Sequence, residues 1–272
     1  MITSGGPSLA IAALDDAGLA RARDVSSALS LPLLHEPAIP RHETDYALLL
    51  LVTDQGLGLQ VTGRKAPGPV RCEFVRGKAG YRRDHGGGTG QLVAKAVGLK
   101  KTRRTLHVLD ATAGLGEDAY VLAGLGCRLT LMERSPIVRA LLEDGLGRAA
   151  EDPGAGPVVA RMTVRPGDSI RWLEEQHEPV ADVIYLDPMF PETGKAAKAK
   201  KEMALFRELV GNDDDAPALL AAALDVARYR VVVKRPRLAP PIDGPVPDLQ
   251  LTGKSSRFDV YTHQKLPEGP AE

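Results

Sequence analysis

Asp187-Pro-Met-Phe-Pro191 follows directly on the apolar run 183–186. An exocyclic base amine is a poor nucleophile, because its lone pair is delocalised into the ring. Acceptors aimed at the NH2 group, here the Asp187 carboxylate and the Pro188 carbonyl, would draw the nitrogen toward a nucleophilic geometry. Phe190 offers a face on which a flipped base can stack. Transfer would then be a direct in-line displacement, with positioning as the main catalytic term. It needs no metal and no covalent intermediate. The plain alternative is a proline-rich turn after a strand.

A second constellation is Val108-Leu-Asp110-Ala-Thr-Ala-Gly114-Leu-Gly116, an apolar run ending in an acid, then a small-residue loop. Ligands of open α/β sheets bind at the carboxyl ends of strands, and Gly114 and Gly116 let the backbone approach one closely. Nicotinamide and flavin enzymes use similar glycines, so the loop alone does not choose. A dinucleotide site would carry G-x-G-x-x-G, with a pyrophosphate against the helix N-terminus. Here Glu117 and Asp118 open the helix. Carboxylates repel a pyrophosphate and suit the cationic, phosphate-free S-adenosylmethionine (SAM), although acids there also complement a helix dipole. Glu133 stands twenty-three positions after Asp110, where a carboxylate can accept both ribose hydroxyls of an adenosine. Gly167-Asp168-Ser169 offers a side chain to an adenine amine, while Asp168 equally suits a helix cap.

Basic groups complete the set. Lys195, Lys198, Lys200 and Lys201 follow the Asp-Pro loop, Arg82 and Arg83 precede Gly86-Gly-Gly88, and Lys234 and Arg235 close another apolar run. Each alone is a solvated charge; converging on one sheet edge, they are placed to hold phosphates beside a target nucleotide. The chain is formally neutral, yet twelve Lys and Arg stand against Glu73 and Asp84 between Arg64 and Arg104. One basic segment in a neutral protein fits a local polyanion contact or a solvated face. Cys72 and Cys127 lack metal-ligand spacing and read as buried free thiols. Neither is placed for the cysteine nucleophile that pyrimidine C5 methylation requires.

The elements that must position these residues alternate from Thr105 onward. Strands are expected at 106–110, 128–133, 162–165, 181–186, 228–233 and 257–262, with helices at 116–125, 136–148, 169–176 and in two stretches after 187. That alternation is the signature of a parallel sheet covered by helices. Earlier, a helix is expected at 8–23, three strands of a small separate sheet at 47–52, 57–61 and 70–75, and a helix at 91–97. The organisation is therefore a small N-terminal α+β subdomain (1–80), a basic glycine-rich connector and helix (81–104), and a doubly wound α/β domain (105–272).

Six segments together resemble one family. They are Tyr81-Arg-Arg-Asp-His-Gly-Gly-Gly-Thr-Gly90, Gln91-Leu-Val-Ala-Lys-Ala-Val-Gly98, Asp110-Ala-Thr-Ala-Gly-Leu-Gly116, Tyr185-Leu-Asp-Pro-Met-Phe-Pro191, Lys201-Glu-Met203 and Val231-Val-Val-Lys-Arg-Pro236. They resemble the bacterial small-subunit ribosomal RNA guanine-N2 methyltransferase J family across roughly residues 70 to 262. The resemblance implies a Rossmann-like class I SAM-dependent methyltransferase fold with a seven-stranded, mostly parallel sheet. It implies methylation of a guanine N2 amine near the 3′ end of 16S rRNA, on naked RNA or the small subunit. It also implies cofactor contacts on Glu117, Asp118, Glu133, Arg134, Asp168, Ser169 and Asp187, beside Asp110, Gly114 and Gly116 of the loop. The pattern departs at 117 and 168, where the family often carries Arg and Ser.

The longest apolar run, 46–52, is too short to span a bilayer, and the N-terminus lacks a secretory pattern, so a cytoplasmic protein is expected, without membrane or metal. Residues and spacing alone reach a SAM-dependent amino-methyltransferase acting on nucleic acid. A DNA or other RNA amino-methyltransferase, a nicotinamide-dependent oxidoreductase and a non-catalytic RNA-binding module are the competing readings.

Overall fold

The computed structural model describes residues 8–76, 88–189 and 214–269. In chain order the elements are β1 (Leu9–Ala13), α1 (Leu19–Leu29), β2 (Leu48–Thr53), β3 (Gly56–Val61), α2 (Leu92–Val97), β4 (His107–Asp110), α3 (Glu117–Gly124), β5 (Arg128–Glu133), α4 (Pro136–Ala150), α5 (Gly156–Val159), β6 (Met162–Pro166), α6 (Ser169–Glu174), β7 (Ala181–Leu186), α7 (Ala216–Val226), β8 (Ala227–Pro236), β9 (Leu249–Thr252) and β10 (Ser256–Thr262). Among the described residues, one unit holds 8–72 and 135–148, and the other holds the rest.

The first unit is built on a three-stranded sheet in the order β1-β2-β3, parallel then antiparallel. The helix expected at 8–23 is corrected here. Leu9–Ala13 is a strand, buried throughout, and the helix begins only at Leu19. A short apolar run closed by Asp15 and Asp16 fits a buried strand or a buried helix equally, and pairing with the leucine-rich β2 decides it. Asp15 then caps a short 3-10 turn by accepting the Gly18 N–H. The strand expected at 70–75 shrinks to a single bridge between Val70 and Leu59. Pro69, directly before Val70, lacks the donor that would extend the ladder on that side. Asp144 of α4 ties this unit together: it accepts the Leu57 N–H at 3.0 Å and pairs with Arg148 at 2.9 Å and with Arg21.

The second unit carries a seven-stranded sheet in the order β6-β5-β4-β7-β8-β10-β9. The first five strands run parallel, and β10 is antiparallel to both neighbours. Strands such as Ala-Asp-Val-Ile-Tyr-Leu are apolar on both faces because helices cover both. On one face Leu173 of α6 and Leu219, Leu220, Ala223 and Val226 of α7 pack with Ile184, Leu186, Val231 and Val233. Each such leucine, fully buried, contributes roughly 1.5–3 kcal/mol. β9 and α5, not expected from the sequence, are a four-residue edge strand and a four-residue helix. Of the two helical stretches expected after 187, one is α7 and the other lies outside the described residues. Both cysteines are free and buried, and burial pushes the Cys127 thiol up to about 12. No helix among the described residues is long and apolar enough to cross a membrane.

Candidate active site

The strand order reverses between β4 and β7, so the crevice at their carboxyl ends is where an open sheet of this kind binds ligands. Four strand ends deliver the expected residues there: Asp110 from β4, Glu133 from β5, Asp168 and Ser169 after β6, and Asp187 after β7. Register does the rest. Leu186 lies opposite Val233, so the next step sets Asp187 beside Lys234 of β8.

That adjacency becomes a network. The Lys234 ammonium lies 2.8 Å from Asp187 Oδ2 and 2.6 Å from Asp118 Oδ2. The Tyr185 hydroxyl donates to the same Asp118 oxygen at 2.8 Å. The backbone N–H of Asp187 donates to Thr112 Oγ1 at 2.6 Å. Both ends of Asp187, main chain and carboxylate, are thereby oriented. Burial pulls the Lys234 pKa down, but the Asp187 and Asp118 carboxylates outweigh it, and the net shift is upward. Asp110 behaves oppositely. Burial, reinforced by Asp118 and Asp187, raises its carboxyl to about 8, against the Thr112 N–H that lowers it. At neutral pH it therefore carries a proton. Burial also holds the Tyr185 phenol well above its ordinary range, so it stays a donor.

The loop after β4 is shaped for a close ligand. Gly114 and Gly116 have φ of +52° and +73°, conformations that side-chain-bearing residues rarely adopt. The Gly114 N–H donates to Glu133 Oε2 at 2.9 Å, which joins the loop to the end of β5. Ser169 donates to the Ala111 carbonyl at 2.6 Å. Glu117 stays exposed at the start of α3. A buried carboxylate at 133, a loop with no Cβ at its bends and acids at the helix start fit a cationic adenosyl ligand without phosphates.

Some assignments shift. Asp168 caps α6 by accepting the Arg171 N–H at 3.0 Å, the structural one of its two expected roles. Arg134 pairs with Asp215 at 2.6 Å. Lys234, expected beside phosphates, is instead committed to Asp118 and Asp187 by register. Arg235 alternates to the opposite face of the sheet, is buried, and donates Nε and Nη2 to the Pro240 carbonyl at 3.1 and 3.0 Å. Phe190, Arg82, Arg83, Lys195, Lys198, Lys200 and Lys201 lie outside the described residues. Pro188 is buried directly after Asp187. Sequence reasoning missed Thr112, Tyr185 and Asp215. The first two lie inside motifs already singled out, while Asp215 carries no local signal.

Residues 33–263 match the family described as "Putative SAM-dependent methyltransferase". The chain is 58% identical over 246 residues to the ribosomal RNA small subunit methyltransferase J of Marinobacter nauticus, covering 90% of this chain and 88% of that one. It is 49% identical over 269 residues to the protein of the same name from Pseudomonas aeruginosa, covering 99% and 100%. The crystal structure of a SAM-dependent methyltransferase from Neisseria gonorrhoeae aligns with a TM-score of 0.70 at 36% identity, over 93% of this chain and 95% of that one. The seven-stranded sheet, the shaped loop after β4 and these similarities agree: the chain belongs to the ribosomal RNA small subunit methyltransferase J family of SAM-dependent methyltransferases.

Proposed function

We propose that this chain transfers the methyl group of SAM to the exocyclic N2 amine of a guanine in 16S rRNA of the small ribosomal subunit, in the cytoplasm. The observation that carries this reading is Asp187, held at its N–H by Thr112 and at its carboxylate by Lys234, at the carboxyl end of β7. Relatives covering nearly all of the chain are named as small-subunit ribosomal RNA methyltransferases. When bound, SAM supplies a methyl group on a sulfonium centre, activated without a metal. Glu133 accepts its ribose hydroxyls, Gly114 and Gly116 give its methionine end room, and Asp110, Glu117, Asp118, Arg134 and Ser169 line the remainder, with Asp168 beside them as the cap of α6. The Asp187 carboxylate and Pro188 carbonyl accept from the guanine amine, while Phe190 stacks on the base. Orientation of the amine supplies most of the rate. Arg82, Arg83, Lys195, Lys198, Lys200 and Lys201 hold phosphates around the target.

The test uses methyl-labelled SAM with small subunits from a strain lacking the enzyme, followed by digestion to nucleosides and mass identification. Labelled N2-methylguanosine that falls by at least about a hundredfold with Asp187→Ala is the expected result. Label in another nucleoside moves the substrate, and an absence of labelled RNA despite SAM binding ends the ribosomal assignment.

A further inference from the structure

The basic segment that ends at Arg104 includes Lys100, Lys101 and Arg103, which the site at the carboxyl ends of the strands does not use. With Arg230, Lys265 and Glu268 these residues line a cavity of about 650 Å³, within the range of small-ligand sites. It lies at the other end of the strands. Arg230 lies near the start of β8, which begins at Ala227, and pairs with Thr262 at the end of β10, four residues before Lys234. At the rise of an extended strand that separation is about 13 Å.

Five cations face this cavity against one carboxylate. Arg230 is the informative one. It is 6% exposed, its Nη1 donates to the Ala96 carbonyl at 3.2 Å, and its Nε is buried without a partner. No carboxylate among the described residues pairs with it, and burial lowers its pKa. A buried guanidinium with an unused donor is costly unless an anion answers it. The surrounding structure is built to hold it. Gly98 ends α2 at a φ of +91°, and a Cβ there would meet Leu266 and stand 3.0 Å from Arg230 Nη1.

We propose that this cavity is a phosphate-binding site, separate from the methyl-transfer site, which grips a backbone phosphate of an RNA strand. The guanidinium fork matches phosphate oxygens in pairs, and exposed Lys101 and Lys265 add charge at the mouth. Such a contact sets register and orientation without reading sequence. Only the source of the phosphate rests on the ribosomal reading.

The experiment compares full-length wild type, the Lys101→Ala/Lys265→Ala double variant and Arg230→Lys. Binding of a 3′ fragment of 16S rRNA is measured across a salt series, together with SAM affinity and melting temperature. The double variant binds the RNA about tenfold more weakly, and the slope of log K against log salt shrinks by about 1.4, two single-strand phosphate contacts. SAM affinity and melting temperature stay unchanged. Unchanged RNA affinity and slope exclude RNA as the source. Inorganic phosphate that then protects wild type from melting, but not Arg230→Lys, assigns the cavity to a free anion; no protection overturns the site altogether. Should wild type leave rRNA unmethylated, the proposed function fails, while the salt and phosphate arms still decide this cavity.

Discussion

Asp187 depends on partners far away in sequence: Thr112 lies seventy-five positions before it, and Lys234 forty-seven after. Replacing Lys234 by Met removes the cation that holds two carboxylates, so Asp187 is no longer aimed. Methyl transfer is expected to fall roughly 10- to 100-fold, because small misplacements cost that much in an oriented displacement. Turnover of labelled SAM reads the effect, and unchanged turnover would make the ion pair merely structural. Asp110 yields a pH prediction. Its folded pKa of about 8 lies above its unfolded value near 4, so the folded chain binds a proton that the unfolded chain releases. Its contribution to stability is complete below about pH 4 and is lost as pH rises through about 8. Asp110→Asn should flatten this slope. Urea unfolding at about pH 5, 7 and 9 checks it, and parallel curves for variant and wild type would contradict the assignment.

The elements differ in how openly the sequence declares them. β5 and β7 occupy the spans read from the sequence, because each closes on an acid, Glu133 ending β5 and Asp187 following the apolar run of β7. β1 does not, because Leu-Ala-Ile-Ala-Ala carries no period and its neighbour β2 comes thirty-five residues later. The first unit also depends on one side chain that sequence does not single out. The side chain of Asp144 on α4 is 3% exposed and serves Leu57, Arg148 and Arg21. Asp144→Ala leaves the buried Leu57 N–H without its acceptor and removes the shared partner of Arg21 and Arg148, and should cost about 2 kcal/mol. Denaturant unfolding measures the loss; a change under about 0.5 kcal/mol, the range of an ordinary surface substitution, would show that the cluster is solvated.

For the whole molecule the decisive property is which nucleoside ligand the folded chain prefers. The acids at the start of α3 and the buried Glu133 favour a cationic adenosyl group over a pyrophosphate. SAM at one hundred times its Kd should stabilise the protein by about 2.7 kcal/mol, read as a rise in melting temperature. NADH at equal concentration should leave the melt unmoved, and a larger shift with NADH than with SAM would return the oxidoreductase reading.

Sequence by itself determined the parallel sheet, the acids at its strand ends and the Asp-Pro loop, because apolar runs, turn residues and their order are local properties of the chain. Tertiary structure alone decided what the charges do. Lys234 and Arg235 are adjacent basic residues in the sequence, yet β-strand alternation sends one to Asp187 and the other to the Pro240 carbonyl. Arg230 reads as one more cation until β8 and β10 pair and α2 closes over it. Charge partners are set by register and burial, and neither exists before the strands meet.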